Sequence, residues 1–127
     1  MSSVVLDASA VLALLNDEPG SEVVEQAIPG AAISAVNLSE VVAKLVENGM
    51  PEEAVRLALG SVQLDLHAFG AELAYEAGIL RPATRKAGLS FGDRACLALG
   101  KQLSLPVWTT DRNWKEVEVG VEVRLIR

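Results

Sequence analysis

Short continuous apolar runs alternate along this chain with stretches whose apolar positions follow a helical period. Residues 3–6 form a short apolar run, the mark of a buried strand. Through Asp7-Ala8-Ser9 they lead into an apolar helix over 10–15, which stops in the turn-rich Asn16-Asp17-Glu18-Pro19-Gly20. A second helix is expected over 21–28, capped by Ser21 and broken by Pro29-Gly30, followed by a strand over 31–34. Asn37-Leu38-Ser39-Glu40 opens the next helix, with Val41, Val42, Leu45 and Val46 on its apolar face and Asn48-Gly49 as its stop. Pro51 at the first helical position starts another, running to about Leu59 and halted by Gly60.

Val62, Leu64 and Leu66 alternate with polar Gln63 and Asp65, which predicts a strand. A long helix follows over 68–80, with Arg81-Pro82 near its end. Another starts at Ser90 or Gly92 and carries Asp93-Arg94-Ala95-Cys96-Leu97-Ala98-Leu99. Residues 107–110 and 121–125 read as the last strands. Strands separated by helices favour an α/β fold with a mainly parallel sheet covered on both faces. No linker, repeat or low-complexity tract interrupts the chain, so residues 1–127 read as a single domain. Ligands in such sheets bind beyond the carboxyl ends of the strands. Asp7 directly follows the first strand and Asp111 the 107–110 strand, which makes both candidates for one crevice.

Composition narrows the chemistry. Half of the 127 residues are apolar and 22% are charged, which excludes intrinsic disorder. Apolar stretches fall well short of the ~20 residues needed to cross a bilayer, and the start lacks the basic and long apolar regions of a signal peptide. A soluble, cytoplasmic protein with no membrane association is expected. The single Cys96 permits no internal disulfide, and with His67 as the one histidine no Cys/His zinc cluster can form. A Ser-His-Asp triad would have to use His67, which reads as a strand terminus. The net charge of −6 opposes general adhesion to nucleic acid.

Four acids stand out by position: Asp7, Glu40, Asp93 and Asp111. Two end strands and two open helices, so all four can face the same crevice. Carboxylates ~5 Å apart repel by roughly 3 kcal/mol at an effective dielectric near 20, and such a group must take up protons or bind a cation. A hard divalent ion suits oxygen donors and needs only one or two direct carboxylates. Two such ions ~4 Å apart hold the attacking water and the leaving oxygen of a phosphodiester, and would bring the formal charge from −6 to −2.

Each acid also has a purely structural use. Asn37-x-x-Glu40 and Ser90-x-x-Asp93 are serviceable capping patterns, Asp7 can cap the helix after it, and Asp111 can hold a turn. Ser9 and Thr109 can orient a water or a phosphate, or serve as a cap and a strand-edge bond. Arg94, Arg112 and Lys115 flank the crevice in sequence and can grip an RNA backbone. Arg85 and Lys86 read better as solvated surface. Trp108 and Cys96 read as core, Trp114 is ambiguous, and Phe69, Leu73 and Tyr75 belong to the core or to a subunit interface.

Four segments taken together, Val4-Val5-Leu6-Asp7-Ala8-Ser9-Ala10, Leu38-Ser39-Glu40-Val41, Leu89-Ser90-Phe91-Gly92-Asp93-Arg94-Ala95 and Thr109-Thr110-Asp111-Arg112-Asn113-Trp114, resemble the PIN domain. More narrowly they resemble the VapC toxins of prokaryotic toxin–antitoxin pairs. No one motif is specific; the ordered set is. The resemblance implies a PIN-like domain with a central sheet of about four to five strands flanked by helices, and a Mg²⁺- or Mn²⁺-dependent endoribonuclease. It implies Asp7 and Asp93 as principal metal ligands, Asp111 acting on a second ion through water, and Glu40 orienting the nucleophilic water. Ser9 and Thr109 match hydroxyl positions that line such pockets. It further implies a homodimer, a VapB-type antitoxin whose tail blocks the groove with a basic side chain, and transfer or ribosomal RNA as substrate. Two alternatives stand beside it: a receiver-like signalling module with a carboxylate-bound Mg²⁺, for which Asp65 is a poor phosphate acceptor, and a catalytically silent PIN-fold binding module.

Overall fold

The computed structural model describes residues 2–127. One five-stranded, wholly parallel sheet runs through it, built from β1 (Val5–Leu6), β2 (Ala32–Ser34), β3 (Asp65–His67), β4 (Val107–Thr109) and β5 (Val123–Leu125) in the order β3-β2-β1-β4-β5. The order reverses between β1 and β4, and that is where a crevice opens at the carboxyl ends of a doubly wound sheet. A receiver-type sheet has the order 2-1-3-4-5, so the topology removes the receiver alternative. Asp65, its required phosphate acceptor, lies on the exposed edge strand bonded to Ser2 Oγ and His67 Nε2.

The helices are α1 (Ala8–Leu15), α2 (Ser21–Glu25), α3 (Ala35–Glu47), α4 (Glu52–Val62), α5 (Ala71–Ile79), α6 (Arg81–Thr84) and α7 (Phe91–Leu103). A 3-10 turn, Arg112–Glu116, follows β4. Strand alternation divides the core in two. Val5, Ala32 and Val107 pack with Leu73 and Ala77 of α5, Cys96, Leu97, Ala98 and Leu99 of α7, and Trp114. Val4, Leu6 and Ile33 pack with Ala10, Val11 and Ala13 of α1, Val24 of α2, Val41 and Leu45 of α3, and Val55 of α4. Both faces are therefore covered, which explains why β1 and β2 are buried along their whole length.

Several boundaries differ from the sequence pattern. The helix expected over 21–28 is regular only to Glu25. Asn37 does not cap α3: Ser34 does, accepting from Val36 N at 3.2 Å, which leaves Asn37 buried within the helix. Gly60 does not stop α4, which continues to bury Val62 and ends where Gln63 turns left-handed at φ 57°. The alternation over 62–66 thus joins a helix end to a three-residue strand. The helix expected over 68–80 begins at Ala71 and gives way to α6, with Pro82 in its first turn where no amide donor is missed. Tyr75 is exposed on α5, whereas Trp114 and Cys96 are fully buried.

At Gly100 the backbone of α7 lies directly on the sheet. A Cβ there would stand 2.5 Å from Val107 Cγ1 and 3.2 Å from Val121 Cγ1, whereas one on Gly60 meets nothing within 4 Å. Helix propensity favours alanine at both positions by ~0.5–1 kcal/mol, and overpacking at Gly100 costs about 1–3 kcal/mol. Urea denaturation is expected to show Gly60→Ala more stable and Gly100→Ala less stable than the parent. Equal gains would contradict the close approach of α7 to β4.

Candidate active site

The chain leaves β1 at Leu6, and Asp7 caps α1 in an extended conformation. Its Oδ1 accepts from Ala10 N at 2.8 Å and Ser9 Oγ at 2.7 Å, and its Oδ2 accepts from Thr109 Oγ1 at 2.5 Å. Thr109, buried at the end of β4, accepts in turn from Asp111 N at 3.1 Å, while Ser9 Oγ accepts from Thr110 N at 3.0 Å. Both hydroxyl protons are thus committed to Asp7, so the 3.4 Å approach of Ser9 Oγ to Thr109 Oγ1 is a contact rather than a further hydrogen bond. These bonds fasten the ends of β1 and β4 together at the point where the strand order reverses.

Asp93 is the third residue of α7 and forms a reciprocal capping box with Ser90. Ser90 N donates to its Oδ2 at 2.9 Å, and its own N donates to Ser90 Oγ at 3.2 Å. Asp111 caps the 3-10 turn, accepting from Asn113 N at 2.9 Å through Oδ1. Glu40 lies further along α3 and accepts from Asn37 Nδ2 at 2.8 Å. The same amide donates to Gly92 O at 3.0 Å, so buried Asn37 ties α3 to the start of α7 and holds Glu40 between them. A side chain on Gly92 would overlap the Glu40 carboxylate. Asn37 and Gly92 were not singled out by sequence pattern as site residues, because Asn37 read as a cap and Gly92 as a helix start.

Asp7, Ser9, Glu40, Asp93 and Asp111 line one cavity of about 310 Å³, together with Ala8, Leu12 and Lys44. The other expected contributors stand elsewhere. Thr109 lies beneath Asp7 rather than in the lining. Arg94 donates through Nη1 to Ala77 O at 3.0 Å and packs its guanidinium carbon 5.9 Å from the centre of the Phe91 ring. Arg112 and Lys115 are exposed on the 3-10 turn, outside the lining. Lys44 was overlooked in sequence, where nothing separates it from other surface lysines.

The acids influence one another. Burial pushes the Asp7 carboxyl up from 3.8 to about 6 against the bonds from Thr109, Ala10 and Ser9, with the Asp93 charge adding to the rise. Asp93 is raised by burial and, beyond its bonds to Ser90, by the charge of Asp111. Beneath them the Cys96 thiol is pushed well up by burial and by the charges of Asp7, Asp93 and Glu40. Among the described residues no three Asp, Glu, His or Cys side chains converge into a ready-made metal cluster. The donor set nonetheless suits a hard divalent ion. It consists of oxygens alone, its members repel one another, and each uses part of its capacity for a local bond while a carboxylate offers about four lone-pair sites. An ion of the Mg²⁺ type keeps several of its waters, so its carboxylates need not all converge.

A family model described as the PIN domain matches residues 4–120. The chain belongs to the PIN domain family. Among solved structures its fold is similar to that of DNA-bound VapBC from Salmonella typhimurium, at a TM-score of 0.78 and 17% identity with 100% of each chain covered. It is also similar to a sarcin–ricin-loop-cleaving VapC toxin of Mycobacterium tuberculosis, at a TM-score of 0.75 and 18% identity over 94% of this chain and 99% of that one. A toxin–antitoxin complex from Klebsiella pneumoniae gives a TM-score of 0.71 and 20% identity over 94% and 99% of the two chains. No curated protein sequence matches. No helix among the described residues is long and apolar enough to cross a membrane.

The raised carboxyl of Asp7 sets a pH dependence. A native-state value of about 6 against an ordinary 3.8 means that the folded PIN domain binds the proton more tightly than the unfolded chain. This group's contribution to stability therefore falls as pH rises from about 4 through 6 and is level above that, a loss of about 3 kcal/mol. In metal-free buffer the stability of the parent relative to Asp7→Asn is expected to drop by about that amount between pH 4 and pH 8. A difference independent of pH would refute the desolvated carboxylate.

Proposed function

We propose that this PIN domain is a VapC-like endoribonuclease that hydrolyses RNA phosphodiester bonds with Mg²⁺ or Mn²⁺. The observation that carries the proposal is the cavity at the reversal of strand order, which is lined by four carboxylates from four separate segments, the buried Asp7 among them. Asp7, Asp93 and Asp111 are the residues that would hold the metal, and Glu40 belongs with them as the fourth catalytic acid. When bound, the divalent ion supplies positive charge for the phosphate and lowers the pKa of attacking water. Asp7 is presented by its three hydrogen bonds in one orientation. Thr109 and Ser9 act through Asp7 rather than on substrate, and Asp93 and Asp111 are fixed by their own caps.

Glu40 is held by Asn37 as an acceptor at the cavity wall, suited to taking a proton from a water poised to attack. Arg112 and Lys115 are placed to meet RNA outside the cavity, while Arg94, committed to Ala77 O, contributes to the seat of α7 instead. The resemblance to toxin–antitoxin proteins supports three further expectations: a single cytoplasmic domain that forms a homodimer, transfer or ribosomal RNA as target, and inhibition by a VapB-type antitoxin with a basic tail, which an acidic cavity would attract.

The test is cleavage of bulk transfer and ribosomal RNA by the purified chain. Cleavage is expected in Mg²⁺ or Mn²⁺, to be abolished by EDTA and restored by added metal. Asp93→Asn keeps an acceptor for Ser90 N but loses the charge, and is expected to lower activity by about a hundredfold or more. Mn²⁺ is expected to raise the melting temperature of the parent and not of Asp93→Asn. Equal activity in Asp93→Asn would end the catalytic assignment. Metal-dependent stabilisation without cleavage would favour the silent binding module.

A further inference from the structure

The cavity that gathers the four carboxylates has one basic side chain in its lining, Lys44. It lies four residues after Glu40 on α3, and so on the same face of that helix. A Glu followed four residues later by a Lys ordinarily closes into an ion pair, yet Glu40 Oε1 takes the Asn37 amide at 2.8 Å instead. Lys44 pairs with Glu47, at 3.8 Å and with side chains 55% and 72% exposed. An exposed pair of this kind contributes little, too little to hold the ammonium against a phosphate. The stem of Lys44, by contrast, is well placed. Its helix is capped by Ser34 and fastened to the start of α7 through Asn37 and Gly92.

The remaining cations of this region are placed differently. Arg94 is committed to Ala77 O and the Phe91 ring. Arg85, Arg112 and Lys115 are exposed outside the lining, and Lys86 lines a separate cavity with Asn113 and Glu116. An RNA strand crossing a site lined by four carboxylates meets repulsion at every phosphate that is not beside a divalent ion. A flexible ammonium is the group suited to offset it at a neighbouring phosphate, since it needs no fixed approach direction.

Building on the ribonuclease assignment above, we propose that Lys44 is a substrate-binding residue that holds the RNA phosphate next to the scissile one, on the α3 side of the cavity. Its role is register rather than chemistry, because phosphate contacts position a nucleic acid without reading its sequence. Lys44 exchanges its weak partner Glu47 for the phosphate when RNA enters.

The experiment is steady-state cleavage of a fluorescein-labelled RNA hairpin by the full chain in Mn²⁺ over a range of salt concentrations. Lys44→Gln is expected to raise KM by about three- to tenfold with kcat within about twofold. Lys44→Arg is expected to restore KM, and Lys44→Glu to raise it further. The dependence of log kcat/KM on log salt is expected to flatten by about 0.7, the loss of one single-strand phosphate contact. Glu47→Gln, which only frees Lys44, is expected to leave kcat/KM equal to the parent or up to about twofold higher. An unchanged KM and salt slope in Lys44→Gln, or a loss confined to kcat, overturns the Lys44 assignment while parental cleavage leaves the ribonuclease assignment standing. Absence of cleavage by the parent removes the ribonuclease assignment itself, and Lys44 with it.

Discussion

Helix amides that begin at the carboxyl edge of a parallel sheet need acceptors, and here three carboxylates provide them around one gap. Asp7 satisfies the start of α1, Asp93 closes the box at the start of α7, and Asp111 caps the 3-10 turn after β4. Each acid accepts a short bond from a nearby backbone amide, of Ala10, Ser90 and Asn113 respectively, so its position is inherited from the element that it caps. The gap exists because the strand order reverses between β1 and β4. Everything functional about the molecule depends on that coincidence of caps and crevice.

Structural and functional uses of an acid are usually weighed as rivals, but in this PIN domain they are the same arrangement. A cap consumes one of a carboxylate's several lone-pair sites and leaves the rest. What the caps do not relieve is the cost of gathering negative charge. Asp7 bears it most clearly, because burial outweighs three hydrogen bonds and lifts its carboxyl to about 6. An adjacent cation removes that cost by favouring the ionised form, which makes metal binding and the stability of this edge of the sheet two aspects of one equilibrium. Asn37 adds a second economy. By holding Glu40 it seats α3 against α7.

Much of the fold was legible because its signals are local. The apolar runs of β1 and β2 and the periodic faces of α3 and α7 follow from which residues can be buried on both sides of a parallel sheet. Ser90 and Asp93 were readable as a helix start because a capping box is complete within four residues. Misreadings fell where a local signal competed with packing. Gly60 looked like a stop, yet α4 runs on because Val62 finds a place in the core. Asn37 looked like a cap, yet Ser34 lies closer to the end of β2 and takes that role.

From its residues alone the chain determined an α/β alternation, an acid after β1, another after β4 and a third in the first turn of α7. Those depend on hydrophobic period and capping chemistry, which act over a few residues. Only the tertiary structure decided which side chains share a cavity. It brought Lys44 into one lining with Asp7, Asp93 and Asp111, sent Arg94 to the end of α5, and spent the hydroxyls of Ser9 and Thr109 on Asp7. Such outcomes depend on the packing of α3 and α7 across the end of the sheet. Contacts between residues some fifty to a hundred positions apart, such as Asn37 with Gly92 and Asp7 with Thr109, have no short-range signature, because nothing but the folded chain makes them neighbours.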